Sequence, residues 1–157
     1  MNAVPVFEMR SELACSQQDL FEWHARPEAF LELQPPWEQV RQLSPPQRLL
    51  QGQLIRLSVR IGLLQLPWHS LISELDEPAG FTDIQRRGPF ARWEHRHCFL
   101  PLPAGGTQML DSISYALPAG ALGSLVAGRY VESRLQRMFE HRHRLLRKHF
   151  GTRSPLV

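Results

Sequence analysis

Cysteine is scarce. Cys15 and Cys98 are the two thiols in 157 residues, too few for a disulfide framework. No basic, apolar, small-residue leader opens the chain, which begins Met1-Asn2-Ala3-Val4-Pro5-Val6. No window approaches the ~20 apolar residues of a membrane span. The expected setting is a reducing cytoplasm, with both thiols acting as small core residues rather than a redox pair. A dominant charge is missing too. Eighteen Lys and Arg stand against 15 Asp and Glu, and the net +3 is too mild to argue for a nucleic-acid partner. Catalytic signatures are absent as well: no Gly-x-Ser-x-Gly elbow, Gly-rich phosphate loop or Cys-x-x-Cys occurs, which removes common nucleophilic, nucleotide-binding and dithiol chemistries. Neither repeats nor a linker-like stretch interrupt the chain, so one domain is expected over residues 1–157, its core running from about 4 to 150.

Hydropathic alternation is what the chain does have. Phe7, Met9, Ser11, Leu13 and Cys15 alternate with Glu8, Arg10, Glu12 and Ala14, the period of a half-buried strand. Ser16 offers an N-cap and Asp19 suits the first turn of a short helix to about Trp23. Pro27 can open a second short helix carrying Ala29, Phe30 and Leu33, which Pro35-Pro36 ends. Strands separated by Pro- and Gly-bearing turns then read over residues 37–43, 53–61, 67–75, 81–87, 92–102 and 107–117. Such short connections favour an antiparallel meander.

Residues 121–150 hold no proline and would span ~45 Å as one helix. Leu122, Val126, Leu135, Met138, Phe139, Leu145, Leu146 and Phe150 form its apolar stripe, and Gly123 and Gly128 weaken its first half. A helix of that length needs a broad apolar surface, which the strands supply. The expected fold is therefore α+β: a curved antiparallel sheet of about seven strands gripping a long C-terminal helix, with two short helices after the first strand.

The densest chemistry lies in Gly88-Pro89-Phe90-Ala91-Arg92-Trp93-Glu94-His95-Arg96-His97-Cys98-Phe99. On a strand, Trp93, His95, His97 and Phe99 share one face. Phe81, Asp83 and Gln85 repeat that pattern on the preceding strand. Met109, Asp111, Ile113 and Tyr115 repeat it on the following one. Three readings of this inward surface compete. The first is a self-satisfied His–Asp network stiffening the sheet. The second is a pocket in which Trp68, Phe81, Trp93, Phe99 and Tyr115 form walls while Asp83, Gln85, His95, His97 and Asp111 orient the polar end of an apolar ligand. The third is a metal site, since His-x-His sets two imidazoles ~7 Å apart along one face and Asp83 or Asp111 could complete it. No third His or Cys stands at a telling spacing, so no metal, cofactor or catalytic residue is assigned from sequence. For catalysis, His95 or His97 with Asp83 or Asp111 is the natural acid–base couple. The run from Glu140 to His149 is basic, and a solvated helix face is its simplest reading; weak contact with an anionic membrane surface is the alternative.

The whole pattern resembles the START-like superfamily (SRPBCC, which includes polyketide cyclases/dehydrases and lipid-transport domains), and within it a bacterial ligand-binding branch with no assigned activity. The stretches carrying the resemblance are Phe81-Thr82-Asp83-Ile84-Gln85, the Gly88 to Phe99 segment, residues 107–115 with Asp111, and Pro118-Ala119-Gly120 at the helix entry. It implies a seven-stranded antiparallel sheet and a hydrophobic cavity beneath the helix, but transfers no catalytic residue. The functional expectation is binding or transport of an apolar small molecule, of lipid, polyketide or quinone kind. The alternatives are a cyclase or dehydratase using the His–Asp couple, and a membrane-associated lipid or quinone chaperone.

Overall fold

Alternation along the first strand, β1 (Val6–Leu13), buries Phe7, Ser11 and Leu13 and exposes Glu8, Arg10 and Glu12. In this computed structural model residues 5–153 are described, without the side chains of residues 120–126. The expectations for Leu122, Gly123 and Val126 lie outside that description, as does Val4.

The Ser16 hydroxyl accepts from the Asp19 backbone N–H at 3.0 Å and so caps α1 (Gln17–Ala25). A one-turn α2 (Ala29–Glu32) follows. Together these helices carry the chain from one edge of the sheet to the other. Five strands then run on as a meander after the short edge strand β2 (Val40–Gln42): β3 (Leu54–Ile61), β4 (Leu64–Asp76), β5 (Gly80–Arg87), β6 (Arg92–Pro101) and β7 (Thr107–Ala116). The sheet order is β1-β7-β6-β5-β4-β3-β2 with every pairing antiparallel. This is the seven-stranded helix-grip sheet expected from sequence. The segment around Trp37 contributes only Val40–Gln42 as strand; Trp37 itself is 52% exposed, its ring edge-on to His141. Register shifts at His69/Ser70 and Ile72/Glu74 bend the long β4 against β5.

The final helix, α3 (Gly120–Phe150), lies on the concave face and buries Leu135, Phe139, His143 and Leu146. These recur at steps of four, four and three, one helical stripe. Gly151, at φ 81°, ends the helix, and its carbonyl accepts from the Ala14 N–H at 3.1 Å, tying the helix end to the exit of β1. Gly80 begins β5 at φ 146°, where a Cβ would stand 1.9 Å from the His97 carbonyl oxygen; only glycine lets β5 and β6 meet there.

Two apolar clusters flank the middle of this interface. One gathers Leu13, Leu20, Phe21, Phe99, Met109 and Leu146 under α1. The other gathers Phe7, Trp93, Ile113, Tyr115, Leu135 and Phe139. Between them every contributing element turns polar: Ser11 on β1, Asp111 on β7, His95 and His97 on β6, and His143 on α3 are all buried. Cys15 is half-buried against the first cluster, and Cys98 is half-buried.

Candidate functional site

A cavity of about 420 Å³ opens between the sheet and α3. Its apolar walls follow from strand alternation: Ile55, Leu57, Val59 and Ile61 from β3, then Trp68 and Ile72 from β4, face Val131, Leu135 and Met138 of α3. Trp68, Phe90 and Trp93 form a mutually tilted aromatic group at one side, with centroids 4.8–5.7 Å apart. Arg134 clamps the wall from α3. Its Nε donates to Glu38 Oε1 at 3.1 Å, its Nη2 pairs with Glu38 Oε2, and Nη2 also reaches the Arg60 carbonyl.

The polar part of the wall grows from the register of three strands. Pairing sets Asp83 opposite His95 and Phe81 opposite His97 across β5 and β6. On the other side it sets His97 opposite Asp111. His95 Nε2 donates to Asp111 Oδ1 at 3.0 Å. His97 Nδ1 lies 2.9 Å from the same oxygen but outside hydrogen-bond alignment. The His97 ring stacks on Phe81 at 4.0 Å. The second Asp111 oxygen accepts from His143 Nε2 at 2.7 Å. On the other side of that ring, His143 Nδ1 meets the Ser11 hydroxyl at 2.7 Å, and Arg147 donates to the same hydroxyl oxygen at 2.7 Å. Asp111 is thus a hub with three imidazoles around one carboxylate. Asp83 Oδ1 accepts from Ser70 Oγ at 2.7 Å, while its Oδ2 stands 3.5 Å from His95 Nδ1 and 3.7 Å from His97 Nε2.

These contacts set the charges. Burial opposes ionisation of Asp111, yet His97, His143 and His95 hold its carboxyl well below the usual range. Asp83 is likewise lowered, against burial, by His97, His95 and Ser70. Burial and the neighbouring His97 push His95 down. His97 itself is raised, because Asp111 and Asp83 outweigh the burial that opposes its proton. The two rings share a wall but are shifted in opposite directions.

Six of the ten residues singled out from sequence line the cavity: Trp68, Phe81, Asp83, Trp93, His95 and His97. Four are placed elsewhere. Gln85 lies at the end of β5, where its amide closes the turn to β6 by donating to the Phe90 carbonyl and accepting from the Phe90 N–H, away from the cavity lining. Phe99 packs in the cluster under α1. Tyr115 packs in the cluster with Trp93. Asp111 is 1% exposed behind the histidines and acts on the cavity through them.

Three residues the sequence reading passed over complete the site. His143, 0% exposed, lies inside the basic run read as a solvated face; that face is interrupted, since Leu146 is also buried and Arg147 bonds Ser11. His24 on α1 donates from Nδ1 to the Leu20 carbonyl at 2.8 Å, leaving Nε2 with a free lone pair. Arg142 donates to Gln34 Oε1 at 3.2 Å and lies 4.9 Å over the Phe139 ring. His24 and Arg142 both line the cavity, and among the described residues neither His24 Nε2 nor Arg142 Nε has a hydrogen-bond partner. Helical spacing held the signal for the two histidines. His24 follows Leu20 by four residues, and His143 follows Phe139 by four.

Chemically, the wall can orient a polar group inside an apolar chamber, exchange protons through His95 and His97, or bring Asp83, His95 and His97 together on a cation. One donor atom from each of these three lies within 4.8 Å of the others. Among the described residues no helix is long and apolar enough to cross a membrane.

Comparison with known proteins follows the architecture. The START superfamily protein of Mycobacterium smegmatis superposes with a TM-score of 0.67 at 17% identity, covering 92% of this chain and 96% of that one. A point mutant of norcoclaurine synthase from Thalictrum flavum, in complex with a transition-state analogue, gives 0.68 at 12% identity over 94% and 96%. The same plant's enzyme in complex with dopamine and hydroxybenzaldehyde gives 0.65 at 13% over 98% and 90%. The fold is therefore START-like, as the sequence pattern suggested. No curated protein matches the sequence significantly. The family described as Domain of unknown function (DUF8410) matches over residues 11–150.

Proposed function

The chain belongs to this DUF8410 family, and we propose that it is a cytoplasmic single-domain carrier or sensor for an apolar small molecule of lipid, polyketide or quinone kind. One observation carries the reading: three residues lining an apolar chamber of about 420 Å³ each keep a buried polar atom without a hydrogen-bond partner among the described residues, His24 Nε2, Arg142 Nε and, turned towards Asp111, His97 Nδ1. A buried polar group left unpaired costs ~1–3 kcal/mol. A ligand whose polar end gives a hydrogen to His24 and an acceptor to Arg142 offsets both costs. A carboxylic acid or a hydroxyquinone has that chemistry, and its apolar body matches Leu57, Val59, Trp68 and Leu135.

Native mass spectrometry of freshly purified protein, followed by release and identification of whatever is bound, tests this directly. Thermal-shift titration with long-chain acids and with their methyl esters tests the polar end. Acids should raise the melting temperature more than esters, and Arg142→Met should erase the difference. Equal response to acid and ester, or no response to either with no released ligand, would remove the proposal.

A second reading is catalysis by the His95–Asp111 couple. It is favoured by the exposure of His95 and His97 to the cavity with an ionised carboxylate behind them. The norcoclaurine synthase complex supports it only by showing the same fold around dopamine and hydroxybenzaldehyde. Under this reading His95→Ala abolishes turnover of a bound substrate while binding persists; under the carrier reading it shifts affinity and no turnover is found.

A further inference from the structure

We infer that Asp83, His95 and His97 form a mononuclear site for a first-row divalent metal such as zinc, with one coordination position facing the cavity. The ion would be a resident part of the site, independent of which molecule fills the chamber. Only the role of the open position rests on the binding function proposed above.

The distances come first. Asp83 Oδ2 stands 3.5 Å from His95 Nδ1 and 3.7 Å from His97 Nε2. Both are longer than a good hydrogen bond. With metal–ligand bonds of ~2.0–2.1 Å, the edge of a tetrahedron is about 3.3–3.4 Å. Two of the three edges are thus close to those of ligands on a common ion, and all three donors lie within 4.8 Å of one another.

The outer partners come second. The far nitrogen of each ring is turned to Asp111: His95 Nε2 donates to its Oδ1 at 3.0 Å, and His97 Nδ1 lies 2.9 Å from that oxygen. That leaves His95 Nδ1 and His97 Nε2 to aim a lone pair at the place where Asp83 Oδ2 converges. A carboxylate behind a ligand imidazole is the arrangement that fixes tautomer and ring orientation in metal sites. Here one carboxylate holds the His95 ring by a hydrogen bond and stands 2.9 Å from the His97 ring without an aligned one, and it is itself held by His143 at 2.7 Å. The first-sphere carboxylate is pinned too, since Ser70 occupies Asp83 Oδ1 and leaves Oδ2 free.

Charge and access complete the case. Asp83 and Asp111 bring two carboxylates into a largely apolar interior where Arg142 acts on both, and a dication among the ligands would further favour their ionised form. Two imidazoles and one carboxylate select zinc or a neighbouring transition ion over magnesium or calcium, which prefer oxygen donors. Asp83, His95 and His97 all line the cavity, so a fourth position would face its contents, held by water or by the polar end of a ligand.

The test is a cobalt(II) titration of chelator-stripped protein, read by visible absorption, followed by displacement with zinc. One equivalent should bind and give the bands of a four-coordinate ion. Asp83→Asn and His95→Ala should each weaken binding by at least tenfold, and Asp111→Asn, through the two rings, by ~10–100-fold. His141→Ala, on a half-exposed ring packed against Trp37, should change nothing. In wild-type protein, zinc should move the imidazole ¹⁵N resonances of His95 and His97 and leave that of His141 in place, a readout that does not depend on any variant folding. Absence of stoichiometric binding at micromolar cobalt, or binding that survives in Asp83→Asn and His95→Ala, would overturn the inference. Metal binding without any response to the acid and ester series would sustain this site while rejecting the ligand proposal; the opposite pattern would do the reverse.

Discussion

Replacing His24 by Phe should make the fold markedly more resistant to mild acid. His24 lies among Trp23, Phe81 and Phe99, and burial first, then repulsion from His97, pushes its pKa from 6.5 down to about 4. In the unfolded chain it titrates normally. Between pH 6.5 and 4 the unfolded state therefore holds a proton that the folded state refuses, and stability falls as the pH falls. From pH 7 to pH 5 the difference integrates to about 2 kcal/mol for a shift of that size. The groups that face His24 from other elements are His97 on β6, Asp111 on β7 and His143 on α3. They remain in the variant, and His24 is neutral in this window, so their contributions cancel in the comparison. Urea unfolding followed by tryptophan fluorescence, at pH 7 and pH 5, gives four free energies. Wild type should lose about 2 kcal/mol more than His24→Phe over that interval. The same loss in both proteins would refute the argument. It would mean that His24 titrates normally, which requires its Nε2 to reach water.

Two further substitutions probe the scaffold. Asp111→Asn keeps the shape of the hub but removes the charge shared by three imidazoles; it should cost ~3–5 kcal/mol at pH 7 in urea unfolding. The deficit should narrow below the ordinary aspartate value of 3.8, because wild-type stability is lost as Asp111 protonates on the way to its depressed folded-state value; a constant deficit would argue against the hub. Gly80→Ala places a Cβ 1.9 Å from the His97 carbonyl at φ 146°, and should cost more than ~4 kcal/mol or prevent folding. An alanine protein within ~1 kcal/mol of wild type would show that β5 and β6 can part there.

Period-two alternation and turn residues made the meander legible, and the N-cap at Ser16 and the Pro35-Pro36 stop made the two short helices legible. Alternation also put Asp83, His95 and His97 on one inward face. It could not reveal that Asp83 meets both rings, because the register of β5 against β6 turns on the close approach at Gly80, which has no period. Gln85 obeys the alternation yet serves a turn, since it stands where β5 runs out. His143 was masked by its neighbours: five of the seven residues from Glu140 to Leu146 are charged or His, and composition outvoted spacing. Arg142 was masked in the same way.

The polar layer between the two apolar clusters has a consequence for the position of α3. A helix held on a curved sheet by Leu, Phe and Met alone can slide, because one apolar knob substitutes for another. A slide of one turn, ~5.4 Å, would bring Phe139 or Arg147 to the place where His143 meets Asp111. Phe139 would leave one oxygen of a fully buried carboxylate without its donor, and Arg147 would abandon Ser11. His143 therefore works as a key in a lock, admitting one axial setting of the helix. The ceiling of the chamber, from Val131 to Arg142, is held at one height above its floor by that ring together with the Arg134–Glu38 and Arg147–Ser11 ties.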